Sequence, residues 1–183
     1  MTAGAELPEG EAVLFDGVGV LRRGDLCLVV YQKAARIERT RWLFDSIDTV
    51  LARTDGDIMG FLIVLPTSDP PDGATRQENL ARIRRIGPRL RCLVTTPIGN
   101  AFKIGVVRTV LRGLNTMLGY AGTRFVTDTV EEGLTRLLEA KSALTPTADQ
   151  ILLVITTLYV ALGEPEPRFP KVRPGHGPSM PPR

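Results

Sequence analysis

Proton transfer, nucleophilic attack and metal binding commonly draw on histidine, and this chain holds one, His176, inside a Pro/Gly-rich run. Ser-His-Asp and Cys-His constellations, and a His-ligated zinc, therefore lack their histidine within the folding part of the chain. The two cysteines, Cys27 and Cys92, sit in apolar runs (Leu26 to Val30, Cys92 to Val94), where a thiol behaves as a small hydrophobe. Carboxylates remain as acid–base groups. Asp16, Asp69 and Asp128 fall near strand ends, and an enzyme built on them needs at least a pair converging in one cleft. Gly17 and Gly19 follow an apolar run, but Arg22 stands where a dinucleotide fingerprint has its third glycine, and no Gly-Lys-Ser/Thr phosphate loop occurs. Asp55 and Asp57 lack the downstream glutamate of a calcium loop and read as a turn. The expectation is a non-enzyme with no cofactor and no metal.

Arg82, Arg84, Arg85, Arg89 and Arg91 form the densest basic cluster, with Arg108 and Arg112 further on. Glu78 precedes Arg82 by one helical turn, so a solvated, self-paired helix face accounts for part of the pattern. One Trp and three Tyr are too few for a base-stacking platform, and a net charge of +3 is weak attraction for a polyanion; specific nucleic-acid binding is not expected.

The elements that position these residues follow from patterning. At 183 residues with 43% hydrophobic content, the chain suits one domain with extensions. Residues 1–11 read as a flexible lead without the basic and apolar regions of a secretion signal, which makes the cytoplasm the default location. Ala12 to Arg22 and Asp25 to Gln32 read as β-runs joined in a hairpin at Arg23-Gly24. Trp42, Leu43, Ile47, Val50 and Leu51 recur at helical spacing within Thr40 to Arg53. Gly60 to Pro66 and Arg91 to Thr96 are apolar runs of covered strands. Between them a helix is expected from Thr75, with Thr75 and Glu78 as a capping box and Leu80, Ile83 and Ile86 as its buried stripe, ending near Gly87. Asn100 caps a helix to about Leu118, Arg124 to Asp128 forms a short strand, and Thr129 with Glu132 caps a helix to about Lys141.

Thr147 to Gly163 reads as a last, apolar helix. Its longest apolar stretch covers about 18 Å at about 1.5 Å per residue, too short to span a bilayer. Residues 164–183 are rich in proline and glycine and read as a disordered tail. The order implies an α/β fold: a mixed, mostly parallel sheet of about five strands with helices on both faces, spanning residues 12–144, and an extra carboxyl-terminal helix.

That order, closed by the run from Phe125 to Leu138 (FVTDTVEEGLTRLL), resembles the STAS domain of bacterial anti-sigma factor antagonists over about Ala12 to Ala140. The wider STAS-like group also resembles lipid-binding CRAL-TRIO modules. The resemblance implies a bacterial signalling switch that binds proteins without catalysis and is regulated by phosphorylation of a Ser after the central strand. Here that loop reads Thr67, Ser68, Asp69, Pro70, Pro71, without the family's Asp-Ser-Gly pattern, so Ser68 and Thr75 are the candidate phosphosites.

The expected function is a regulatory or scaffolding domain binding another protein or itself. The docking residues are Thr67, Ser68, Asp69, Asn100, Lys103 and Arg108; the apolar last helix, with Ile151, Val154, Ile155 and Leu158, needs a cover, which is either its own domain or, as a candidate interface, a second copy or a partner's groove. Two alternatives stand beside it: a module for a lipid or other apolar ligand, gated by the helix from Asn100 and the last helix, and a carboxylate-based enzyme.

Overall fold

The computed structural model describes residues 6–65, 71–99, 105, 108, 109, 111–113, 115, 119 and 122–167. The fold is α/β, with a six-stranded mixed sheet in the sequential order β1 to β6. Its strands are β1 (Ala12–Phe15), β2 (Val18–Arg23), β3 (Leu26–Tyr31), β4 (Ile58–Val64), β5 (Leu90–Pro97) and β6 (Arg124–Val126). β1, β2 and β3 form an antiparallel meander, and β3 to β6 run parallel. The helices are α1 (Ile37–Ala52), α2 (Gly73–Ile86), α3 (Val130–Glu139) and α4 (Ala148–Ala161).

The run expected as one strand from Ala12 to Arg22 is a hairpin. Asp16 and Gly17 both take positive φ (43° and 81°), the backbone of a two-residue turn whose twist matches the flanking strands. This added turn accounts for the sixth strand. The folded region also begins before Ala12: Leu7 is buried in the core, Glu6 pairs with Arg53, and Gly10 N donates to Arg22 O at 2.8 Å, so residues 6–11 are built into the domain.

Two apolar layers sandwich the sheet. On one face Val18, Val20, Cys27 and Val29 meet Trp42, Leu43, Phe44, Ile47 and Val50 of α1. Trp42 also stacks on Phe15 at 5.1 Å between ring centroids. α2 lies beside α1, with Ile86 buried but Leu80 and Ile83 only half-covered. The link between these helices is largely ionic: Arg82 meets Asp45 (2.7 Å), Asp48 (3.5 Å) and its own helix's Glu78 (3.0 Å), and Arg85 meets Asp48. On the other face α3 covers β4 and β5, and α4 covers β1, β2 and β3.

Helix starts follow side-chain chemistry. Asp72, not Thr75, caps α2: its carboxylate accepts from Thr75 N at 2.7 Å, while Glu78 turns to Arg82 and Arg41. Thr129 caps α3 through Glu132 N, but Glu132 reaches back one residue further, to Asp128 N. α4 carries a full capping box, Thr147 with Gln150. Among the described residues no helix is long and apolar enough to cross a membrane.

Candidate functional site

β1 and β3 to β6 point the same way, so their carboxyl ends share one rim of the sheet, where α/β folds commonly gather binding loops. At the β1 and β3 end, the positive φ of the turn turns Asp16 toward Arg39 and Lys33. Asp16 accepts from Lys33 Nζ (2.9 Å) and from Arg39 Nε and Nη2 (3.0 and 2.6 Å), and these bonds hold its carboxyl below the ordinary aspartate value. Arg39 is itself buried and also donates to Ala34 O. Toward the β6 edge, Thr96 of β5 and Thr127 just after β6 are both buried and share a hydroxyl–hydroxyl bond of 2.6 Å that ties the two strand ends.

Beyond the other edge, described residues between 105 and 115 are helical and hold β6 by side chains. Arg108 reaches Asp128 (Nη1 to Oδ1, 3.0 Å; Nη2 to the carbonyl, 3.1 Å), Arg112 Nη2 donates to Val126 O (3.2 Å), and Asn115 Nδ2 donates to Arg124 O (3.4 Å). Between these two ends lies the first turn of α2, which carries no acid and exposes Arg76 and Gln77. The Thr75 amide bond keeps Asp72, its cap, ionised at lower pH than an ordinary aspartate.

Of the three acids that a carboxylate-based enzyme would draw on, the two described do not converge. Asp16 follows β1 and Asp128 follows β6, at opposite edges of the sheet, and five strand spacings of about 4.8 Å separate them by roughly 24 Å. Asp69 lies outside the described residues. A carboxylate that patterning did not single out is the buried one. Asp25, in the β2–β3 turn, accepts from Ser142 Oγ (2.7 Å), Thr145 Oγ1 (3.2 Å) and the Arg91 guanidinium. It sits at the amino ends of the parallel strands and pins the hairpin to β5 and to the α3–α4 linker. The sequence places the hairpin turn at Arg23-Gly24, one residue before the observed Gly24-Asp25, and carries no signal of the partners of Asp25, more than sixty residues away.

Of the expected docking residues, Thr67, Ser68, Asp69, Asn100 and Lys103 lie outside the described residues, as do His176 and most of the 164–183 tail. Thr75 is fully buried in the first turn of α2, so its hydroxyl offers no accessible phosphosite. Arg108 is mostly covered by its pairing with Asp128. Of the two covers open to Ile151, Val154, Ile155 and Leu158, the structure supplies the domain itself, so these four residues form no interface. They point into the domain's own core, at 0, 4, 0 and 0% exposure, because the sheet face over β1 to β3 needs an apolar cover and α4 supplies it.

Four of the five arginines of the basic cluster are engaged within the domain: Arg82 and Arg85 meet the acids of α1, Arg89 donates to the carbonyls of Thr54 and Gly56, and Arg91 meets Asp25, while Arg84 is exposed. Both cysteines are buried, and burial pushes the Cys27 thiol up to about 12 and the Cys92 thiol to about 11, which makes them poor nucleophiles. Among the described residues no group of three His, Cys, Asp or Glu side chains forms a metal cluster. No protein-family model, no curated protein and no solved structure matches this chain.

Proposed function

We infer that this chain is a non-catalytic regulatory or scaffolding domain that acts in the cytoplasm by binding another protein through the carboxyl-end rim of its sheet. The binding surface comprises the exposed first turn of α2, around Arg76 and Gln77, and the helical segment carrying Arg112. The observation that carries this reading is the filled layer beneath α3 and α4. Phe61, Leu137, Ile151, Ile155 and Leu158 are fully buried there, and a Cβ on Gly133 would stand 2.8 Å from the Phe61 ring. Close packing of this kind supports α4 as a fixed cover of the sheet rather than as the gate of an apolar-ligand cavity.

Two further facts favour a surface reader. The parallel strands follow one another without the reversal that opens a nucleotide crevice in doubly wound sheets, and the rim carboxylates are engaged by arginines at separate edges. The resemblance of residues 125–138 to the closing strand and helix of STAS domains supports the same reading.

Photo-crosslinking in the cells that make the protein tests it, with the crosslinker at Arg76 or Arg112 of the full chain and, as control, at Ala143 near the opposite end. A discrete adduct with a different protein from the first two positions and not from the third is expected. Equal labelling from all three, or none, would sink the proposal.

A further inference from the structure

The two edges of the sheet are finished differently. Thr123 O accepts from Leu93 N and Thr127 N donates to Thr95 O, so the odd residues of β6 face β5 and the even ones face outward. The outward carbonyls of Arg124 and Val126 are the ones taken by Asn115 and Arg112. That edge is closed by side chains.

Among the described residues, the β1 edge carries no such cover. Arg22 O accepts from Gly10 N and Gly17 O accepts from Gln32 N, so Val18, Val20 and Arg22 face β1 while Gly17, Gly19 and Leu21 face β3. Phe15 and Val13, opposite Val18 and Val20, therefore turn their N–H and C=O groups to β2, and Ala12 and Leu14 turn theirs outward. The strand reads AVLF, without the charge or proline that usually blunts an edge, and Leu14 is 45% exposed. Leu14 shares its face with α4: Leu14, Leu158 and Leu162 converge on Gly19, and α4 exposes Leu153 and Val160.

We propose that the protein is a two-fold homodimer in which β1 pairs antiparallel with β1 of a second copy, joining the two sheets edge to edge beside their α4 helices. The strand is complementary to itself. With Val13 on the two-fold axis, Ala12 stands opposite Leu14 of the other copy, large against small, and both outward-facing pairs close their hydrogen bonds. Glu11 then faces Phe15 and Asp16 faces Gly10, so no like charges meet. This surface is separate from the carboxyl-end rim, and the inference does not rest on the function proposed above.

Light scattering on the full chain should give twice the monomer mass. Leu14→Lys, which charges the edge, and Leu14→Pro, which removes an outward N–H that β2 does not use, should each halve that mass while circular dichroism stays unchanged. If either substitution perturbs folding, cysteine pairing decides. Val13→Cys places two thiols at a close, non-hydrogen-bonded pair and should cross-link on oxidation, whereas Leu14→Cys should not; the native Cys27 and Cys92 are buried and contribute no background.

The proposal is overturned by a monomer at every concentration up to about 0.1 mM, by a dimer that survives both Leu14 substitutions, or by cross-linking from Leu14→Cys alone. A monomer whose Ala12 and Leu14 amides resist hydrogen exchange would assign the edge to another segment of its own chain, and would also overturn it.

Discussion

A methyl group on Gly133 would meet Phe61 Cζ at 2.8 Å and Thr96 Oγ1 at 3.1 Å, and the Phe61 ring is fully buried between β-strand neighbours. Helix propensity favours alanine by about 1 kcal/mol, but overpacking a rigid core costs about 1–3 kcal/mol, so Gly133→Ala is expected to destabilise. Denaturant midpoints check the sign, and adding Phe61→Leu should recover part of the loss if the ring is the cause. Asp16 gives a pH signature. Bonds from Lys33 and Arg39 lower its folded pKa, so the stability it contributes is present above the unfolded aspartate value of about 3.9 and is lost as pH falls through the folded value. In urea titrations from neutral pH into acid, Asp16→Asn should flatten part of the acid limb. Asparagine tolerates the positive φ of this turn, so the turn itself should persist.

At the scale of the element, α4 offers the clearest contrast, because its inner face is core and its outer face is bare. Ile155→Ala removes a side chain with no exposure and should cost about 2–5 kcal/mol, while Thr157→Ala on the exposed side should stay within about 0.5 kcal/mol. Thr147→Ala deletes the side chain that accepts from Gln150 N and should cost about 1 kcal/mol. Thermal unfolding of the three variants ranks them. Equal effects for the inner and outer substitutions would contradict the packing of α4 on β1 to β3.

For the whole molecule, the consequence of α4's position is that it belongs to the core. It covers the same layer as Leu21, Leu28 and Val30, and Asp25 pins the linker that leads into it. A chain ending at Leu144 uncovers half of one sheet face and should lose its cooperative urea transition. Trp42, the one tryptophan, reports this from the opposite face. A folded truncation with a sharp transition would show that the antiparallel end of the sheet stands without its cover.

How much of this was legible beforehand divides along a physical line. Periodicity and caps are local, so Thr40 to Arg53 already announced α1, the apolar run from Gly60 announced β4, and Thr129 announced α3, each within a few residues. The Asp16-Gly17 turn is equally local, but its Asp-Gly signal lies inside an apolar run whose β propensity continues on both sides and masks it. Asp72 lost its place as the α2 cap to Thr75 because both residue types cap well and only the backbone decides between them. An apolar pattern says that a face must be covered, but not by what. Ile151, Val154, Ile155 and Leu158 carry the same pattern whether they meet a partner or their own sheet, and strand order made it the sheet. Strand order also set Asp16 and Asp128 at opposite edges and brought Asp25 to Ser142 and Thr145. Such pairings cross more than a hundred residues, and no spacing along the chain encodes them. The sequence alone determined the kinds of element and their order; the tertiary structure alone decided which faces those elements spend on one another and which remain for a partner.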